Sequence, residues 1–513
     1  MVSALTRMLL RDLWHLRGQV FAAALVMACG IGMFVATQST YHSLVVARAT
    51  YYESYRFADV FARLKRAPES LADEIRQIPG VAQVQTRVVM DVTLDVPGLA
   101  EPATGRLVSI PARQAPILND LYLVRGRYVA TERTEEVLAS ETFANANALD
   151  VGDKLGAVIN GRWKELTIVG IALSPEYIYE VGNGMLFPDN KRFGVMWMSR
   201  EALGPAFSME GAFNDVALSL TTGAEEAEVV ARLDRLLERY GGLSAYGRTE
   251  QQSYRILDDE LGELEIMTTF VPTLFLGVAV FLLYIVLSRL VAMQRAQIGL
   301  LKAFGRSDVR VGLHYLQFAV VTVGLGLVLG APSGLYLGNI FVATYRDYFH
   351  FPQLVLVLDP ALMLIAVAIS MAVAGVGALA AVRRAVGLPP AEAMRPEPPA
   401  RFRAGFIERA GFVRLLPSSV RMIVRNLTRR PWKALVSVIG IAFAIALMVV
   451  GRFSLDAVSH MMMVQFELVQ RDNLTVLFNE PRPSSAAFDV ARLPGVIRAE
   501  PFRVAPVWLR AAH

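Results

Sequence analysis

The sequence predicts an α-helical transmembrane bundle, four spans plus the first span of a second unit, with a large α+β extracytoplasmic domain inserted between spans 1 and 2. Three observations predict it. Apolar residues gather in five blocks long enough to cross a bilayer. Basic residues cluster beside alternate ends of those blocks, and a motif near the start returns near the end.

The chain has 513 residues, of which 54% are hydrophobic and only 19% charged, with a mean hydropathy of +0.41. Soluble domains run at about 45–50% apolar and about 25% charged. A spanning helix needs about 20 mostly apolar residues, and five stretches qualify: Val20–Thr40, Phe270–Leu290, Gly312–Val342, Ala361–Val382 and Ala434–Gly451. The third is longer than required, which predicts tilt, a kink at Pro332, or an end beyond the lipid. The pI near 9.2 and net charge of +5 do not point to nucleic acid, because the basic residues flank the apolar blocks.

Orientation follows from those flanks. Arg7, Arg11 and Arg17 precede the first block, and Arg295, Lys302, Arg306 and Arg310 fill the loop between the second and third. Arg383, Arg384, Arg395, Arg401, Arg403, Arg429, Arg430 and Lys433 lie between the fourth and fifth, whereas the loop from Ala343 to Pro360 carries only Arg346. Short-loop basic bias places the N-terminus inside and residues 41–265 outside a bacterial cytoplasmic membrane. Val26-Met27-Ala28-Cys29 has some likeness to a lipoprotein cleavage site, but the apolar run continues through Ile31, Phe34 and Val35, too long for a signal core. Cys29, alone in the chain, excludes an internal disulfide and is expected to be packed.

The repeat is short but ordered. Met8-Leu9-Leu10-Arg11-Asp12-Leu13 matches Met422-Ile423-Val424-Arg425-Asn426-Leu427, and Ile78-Pro79-Gly80-Val81 matches Leu493-Pro494-Gly495-Val496. The pattern predicts one complete unit and the opening of a second, so that the chain is expected to be a fragment or the product of a truncated gene.

Within the outer domain, residues 56–64 read as a strand, Glu69–Ile78 as an amphipathic helix, and Val81–Val96 as strands. A second strand–helix–strand pattern fits Asp215–Leu220, Ala224–Tyr240 and Leu243–Tyr246, and a β-rich insert with turns at Gly152-Asp153 and Asn160-Gly161 lies between. From Glu250 the pattern turns helical and predicts a stalk into the second span.

The most informative segment is Met293–Gly305. Ile298, Leu301 and Phe304 recur at three-residue spacing beside Arg295 and Lys302, Gly305 ends the helix, and Ser307 is placed to cap the next. Such a short helix either lies in the lipid interface or docks into a partner groove, and the spacing by itself favours lipid. Gly326, Gly330, Gly334 and Gly338 fall at every fourth position of the third span, where small residues let helix backbones approach. Their stripe serves either packing within one unit or a seam between units or copies. Arg384, Pro390, Ala391, Glu392, Ala393 and Arg395 follow the fourth span in a segment that also reads as a proline-punctuated helix end. Arg452 is expected to snorkel to the headgroups. The histidines show no metal-ligand spacing, and the sequence holds no G-x-x-x-x-G-K-[ST] phosphate loop or nucleophilic triad. Hence no catalytic or metal residue is expected, no cofactor is expected to bind directly, and ATP hydrolysis would belong to another polypeptide.

Gln297-Ile298-Gly299-Leu300-Leu301-Lys302-Ala303-Phe304-Gly305 resembles the "EIGLLKALG" stretch of FtsX/MacB/LolE-like ABC transporter permeases, with Gln297 where that family has Glu. Ala380–Arg395 is similar to their "A-x-R-A-x-x-L-x-P-A-E-A-L-R" signature. Val151–Leu155 and Ser174–Tyr177 look like parts of their extracytoplasmic domain. The resemblance covers residues 1–400. Taken with the apolar blocks, their flanks and the repeat, it divides the chain into 1–19 (cytoplasmic N-terminus), 20–40 (span 1), 41–265 (outer domain and stalk) and 266–382 (FtsX-like, spans 2–4). A linker at 383–433, span 5 at 434–451 and an incomplete second outer domain at 452–513 complete the division. It further implies that Arg295, Gln297, Ile298, Gly299, Leu301, Lys302, Phe304 and Gly305 form an ATPase-coupling helix, with two copies of an ABC ATPase subunit as partners. Membrane lipid, and a periplasmic adaptor or second permease, are the other partners it suggests. A non-transporting signalling protein, acting on a cell-wall hydrolase or a sensor, is the rival reading. An anchored enzyme would need a catalytic constellation within residues 41–265, and none is visible.

Overall fold

The computed structural model describes residues 4–111, 117–182, 187–387, 389–394, 417, 431–476, 478 and 482–502. The linker from Arg395 to Arg430, Pro417 apart, lies outside the described residues, as does the second copy of the N-terminal motif at Met422–Leu427.

Helix α1 (Ala4–His15) leads through Leu16 into α2 (Arg17–Ser54), which has no interior proline to break it. Tyr55 and Phe57 donate their N–H groups to Tyr51 and Tyr52 carbonyls, closing the last turn, and the chain enters strand β1 (Val60–Pro68). The strand–helix–strand unit β1, α3 (Leu71–Arg76), β2 (Val81–Arg87) follows. A matching unit comes later as β10 (Ala212–Leu220), α6 (Glu226–Leu237) and β11 (Leu243–Gly247). The two units interleave into one sheet of order β11-β1-β10-β2, every neighbouring pair antiparallel. This is a split β-α-β arrangement, in which each parallel pair is separated by a strand of the other unit. Helix α6 packs on it because Val229, Leu233 and Leu237 repeat every four residues on one face, with acidic residues elsewhere.

The insert carries β3 (Val89–Asp95), β4 (Ala103–Ile110), β5 (Tyr122–Gly126), β6 (Glu136–Ser140), α4 (Glu141–Ala146), β7 (Lys154–Ile159), β8 (Arg162–Leu173), β9 (Phe193–Ser199) and α5 (Arg200–Ala206). Its sheet runs β5-β8-β6-β9-β4-β3-β7, and β8 also pairs with β7, so six strands close a ring with β5 added on β8. Closure depends on one long strand changing partners. β8 pairs with β7 through residues 162–167 and with β6 from Thr167 onward, with a register shift at Gly170. A side chain at Gly170 would stand 2.6 Å from the Arg127 carbonyl oxygen. The β7–β8 hairpin turns at Asn160-Gly161, where both residues have positive φ (50° and 75°), the geometry of a two-residue type I′ turn.

Helix α7 (Gln252–Met293) returns from β11, and the Gln251 side chain caps it by accepting the Tyr254 N–H at 2.7 Å. Short helix α8 (Arg295–Ala303), then α9 (Asp308–Tyr348), α10 (Pro360–Val386) and α11 (Pro390–Ala393) follow. α9 continues through Pro332 as one helix, with the Ser333 hydroxyl donating to the Gly330 carbonyl at 2.9 Å. Helix α12 (Pro431–Met463) lies against α7, where Gly440 meets Phe281 and Gly277 meets Phe443. Among the described residues five helices are long and apolar enough to cross a membrane: Arg17–Ser54, Gln252–Met293, Asp308–Tyr348, Pro360–Arg383 and Ala434–Val469.

The two copies of the Pro-Gly motif have the same local form. Each follows a six-residue helix, α3 or α13 (Ala486–Ala491), and Gly80 and Gly495 have φ of 96° and 89°. In each, the following valine donates its N–H back across the turn, Val81 to Ile78 and Val496 to Leu493. Cys29, expected to be packed, is instead exposed on the bundle surface.

Candidate functional site

At the end of the bundle far from the α+β domain, α8 leaves α7 at Gln294 and packs against α11. Ile298 is fully buried in the bundle core and Gly299 is buried beside it. Lys302 fixes the other end of the helix, its amine donating to the Val386 carbonyl at 2.6 Å and pairing with Asp308 at 2.7 Å. Gly305 ends α8 with φ of 83°, donating to the Lys302 carbonyl while Arg306 donates to that of Leu301. Ser307 has the extended backbone of an N-cap, but its side chain accepts no capping bond; only its carbonyl is used, by Arg310 and Val311.

This anchoring divides the residues read together in the sequence. Ile298 faces the core, Leu301 is half-buried, and Phe304 is 80% exposed. Ile298 is therefore an anchor and not a surface contact. The surface presented by this corner is Leu300, Phe304 and Val309, with Gln297 exposed beside them. Pro390 and Ala391 belong to α11. Arg395 lies outside the described residues, and so do the side chains of Arg384, Glu392 and Ala393. Arg295 is half-buried at the start of α8.

The glycines of α9 face α2. A methyl group added at Gly330 would stand 2.7 Å from the Ala28 carbonyl oxygen, and one at Gly334 2.6 Å from that of Gly32. At Gly326 it would meet Met27 at 2.7 Å, and at Gly338 it would lie 3.6 Å from Ala36. The two helix backbones touch along the whole stripe.

Sequence reasoning missed a second cluster, where α2 and α7 meet the α+β domain. Tyr51, Tyr52, Phe57, Phe61, Leu257, Phe349 and Phe351 form one buried core, and Arg48 binds Asp258 across the two helices at 2.6 Å. Above it the Arg87 guanidinium is held between Asp215 (Nε to Oδ1, 2.8 Å) and Glu176. Asn119 donates to the same Glu176 carboxylate at 2.9 Å and accepts the Ala58 N–H at 2.8 Å. Burial alone would favour losing the Arg87 proton, but Asp215 and Glu176 outweigh it and raise the pKa well above its ordinary value. Glu176 likewise resists burial, because Arg87 holds its pKa below the usual carboxylate value. Nearby, Glu180 is buried with hydroxyl partners, Ser140 Oγ donating at 2.9 Å. Burial pushes its pKa up to about 7 against the lowering effect of the Thr142 and Ser140 hydrogen bonds. The only signal in the sequence was the Ser174-Pro175-Glu176-Tyr177 run, since the partners of each charge are distant in the chain.

Among the described residues no group of His, Cys, Asp and Glu could hold a metal ion. What the structure presents here is an anchored short helix with an exposed apolar corner, joined by long helices to the α+β domain.

Residues 20–236 match the model of the MacB-like periplasmic core domain, and residues 269–390 match that of the FtsX-like permease C-terminal domain. No curated protein matches the chain. Among solved structures, the extracellular domain of the noncanonic ABC-type transporter YknZ from Gram-positive bacteria is 13% identical, covering 37% of this chain and 98% of that one, with a TM-score of 0.26. The periplasmic region of MacB from Actinobacillus actinomycetemcomitans is 10% identical, covering 42% and 95%, with a TM-score of 0.26. A domain of a putative permease protein from Porphyromonas gingivalis is 16% identical, covering 39% and 87%, with a TM-score of 0.23.

Proposed function

We propose, from the premise that this chain is an FtsX/MacB-like ABC permease, that it couples ATP hydrolysis by a separate subunit to movement of its α+β domain. In this reading α8 lies on the cytoplasmic side of a bacterial inner membrane and the α+β domain outside. The outer domain and stalk occupy residues 41–265, and the FtsX-like spans residues 266–382. Two ATPase copies bind ATP, and this chain binds no cofactor of its own.

One observation carries the reading. α8 is fastened to the bundle by Ile298 and Lys302 and still turns Leu300 and Phe304 outward. An aromatic side chain on a rigid short helix is the kind of anchor that fills a partner's pocket. The reach of the helices supports transmission. At 38 and 42 residues, α2 and α7 are about 57 and 63 Å long, roughly twice the about 30 Å hydrocarbon core, so both extend well outside the lipid. They end in β1 and after β11, neighbours in one sheet. Export, or handling of lipid or lipoprotein at the outer face, is the work such a movement would do.

The test is co-purification of the full chain from its native membranes. An ATPase subunit is expected with wild type and with Gly324→Ala, and is expected to be lost from Phe304→Asp and Leu300→Asp. Failure to recover any ATPase with wild type would sink the reading.

A further inference from the structure

Three helices meet at Gln294 in a hydrogen-bond chain that an apolar helix junction does not require. Gln294 is the residue at which α7 gives way to α8; its N–H continues the α7 ladder to Leu290, and its carbonyl accepts the Ile298 N–H of α8. Its side chain is buried, Nε2 donating to Asp12 Oδ2 of α1 at 2.6 Å and Oε1 accepting from the Tyr315 hydroxyl of α9 at 2.9 Å. Asp12 is 5% exposed, and the ion pair described for it is with Arg11 at 3.4 Å, a side chain that is itself mostly exposed. Leu9 on the same helix is also buried in the bundle core, so apolar packing alone would hold α1. A buried carboxylate costs stability. What it adds is geometry, because its bond to Gln294 selects one register of α1 against α8.

We propose that Asp12, Gln294 and Tyr315 form a latch that makes the N-terminal helix part of the moving cytoplasmic unit. This rests on the reading of α8 as the helix an ATPase pushes, and the three are positioning residues that take no part in contacting that subunit. Displacement of α8 then drags α1, and α1 is joined through the single residue Leu16 to α2. The push reaches the outer domain along two helices. α2 delivers it to β1, and α7 to the segment after β11. Those strands are hydrogen-bonded neighbours, with Val60 opposite Gly247, and Arg248 binds Asp59 across the same junction. Moving both helices together tilts the sheet as a body. Moving α7 alone would shear β11 from β1.

The test uses the full chain in lipid nanodiscs without an ATPase, with Cys29→Ser and nitroxide labels at Arg7→Cys on α1 and Ala303→Cys on α8, both exposed positions. Wild type is expected to give one narrow distance distribution by pulsed electron spin resonance. Asp12→Ala and Gln294→Met, each of which removes the side-chain bond between α1 and the α7–α8 junction, are expected to raise the unlatched, long-distance population about tenfold, the factor set by losing one buried hydrogen bond. Asp12→Asn keeps an oxygen that accepts from Gln294 Nε2 and is expected to restore the narrow distribution, whereas Asp12→Leu, which fills the space without an acceptor, is not. If Asp12→Ala does not accumulate, Gln294→Met, close in size and shape to glutamine, decides the matter. Distributions in both variants equal to wild type would overturn the latch, as would failure of Asp12→Asn to restore it. Co-purification of an ATPase does not enter this measurement, so the permease reading and the latch can fail separately.

Discussion

Arg87 sits where two sheets and the stalk meet, and its guanidinium serves two buried carboxylates at once. Replacing it with leucine leaves Asp215 and Glu176 facing each other with only the partly exposed Arg63, 3.8 Å from Asp215, as a cation. Breaking a buried pair by removing one partner costs about 3–5 kcal/mol, so Arg87→Leu is expected to lower the unfolding temperature of the α+β domain sharply. Thermal unfolding followed by the fluorescence of Trp163 and Trp197 in that domain checks this, and an unchanged midpoint would refute it. Glu180 is the opposite case, a buried carboxyl with hydroxyls and no cation, whose pKa is raised to about 7 from 4.5. Because the folded value lies above the unfolded one, the neutral form favours folding. That contribution is complete below about pH 4.5 and is lost as pH rises through about 7, a difference of about 3 kcal/mol. Glu180→Gln is therefore expected to be more stable than wild type at pH 8 and equal to it near pH 4. Equal pH dependence in the two proteins would contradict the assignment. Neither group was legible as a site in the sequence. A single charge in a strand or loop declares nothing until its partner arrives from elsewhere, and the Gln294–Asp12 bond joins residues 282 positions apart.

Elements follow from periodicity, but periodicity names a face and not the neighbour. The glycine spacing of α9 marked a close-packing stripe; that the partner is α2 comes from the contacts of Gly326, Gly330 and Gly334 with Met27, Ala28 and Gly32. A paired substitution tests this. Gly330→Leu is expected to prevent the bundle from assembling, whereas Gly324→Leu, on the same helix with open space around it, is expected to be tolerated. Yield of monodisperse protein by size-exclusion chromatography reads the difference, and equal yields would argue against the close contact. Periodicity was misread at α8. A helix turns about 100° per residue, so Ile298 and Phe304, six apart, stand about 120° from each other, while Leu300 and Phe304 lie within about 40°. Three-residue spacing therefore looked like one stripe and is two faces, one anchored and one free. The hairpin at Asn160-Gly161 was readable because both positions need positive φ. The register shift of β8 at Gly170 was not, since one glycine in an apolar strand has many uses.

At the scale of the whole molecule, the apolar blocks and the two strand–helix–strand patterns carried most of the architecture. Their interleaving into one sheet, and the closing of the insert into a ring by β8, depend on long-range pairing that local pattern does not encode. The consequence for function lies in this topology. α2 and α7 rise from one corner of the bundle and finish at adjacent strands, so the α+β domain stands on two supports rooted beside α8. The central claim is that the exposed face of α8 meets an ATP-binding subunit. It is tested most directly by placing a photo-cross-linking amino acid at position 304 in living cells and identifying the adduct. The account predicts one predominant adduct, an ATP-binding polypeptide, absent when the same amino acid occupies the buried position 298. Adducts to lipid alone, or to a protein that binds no nucleotide, would contradict it.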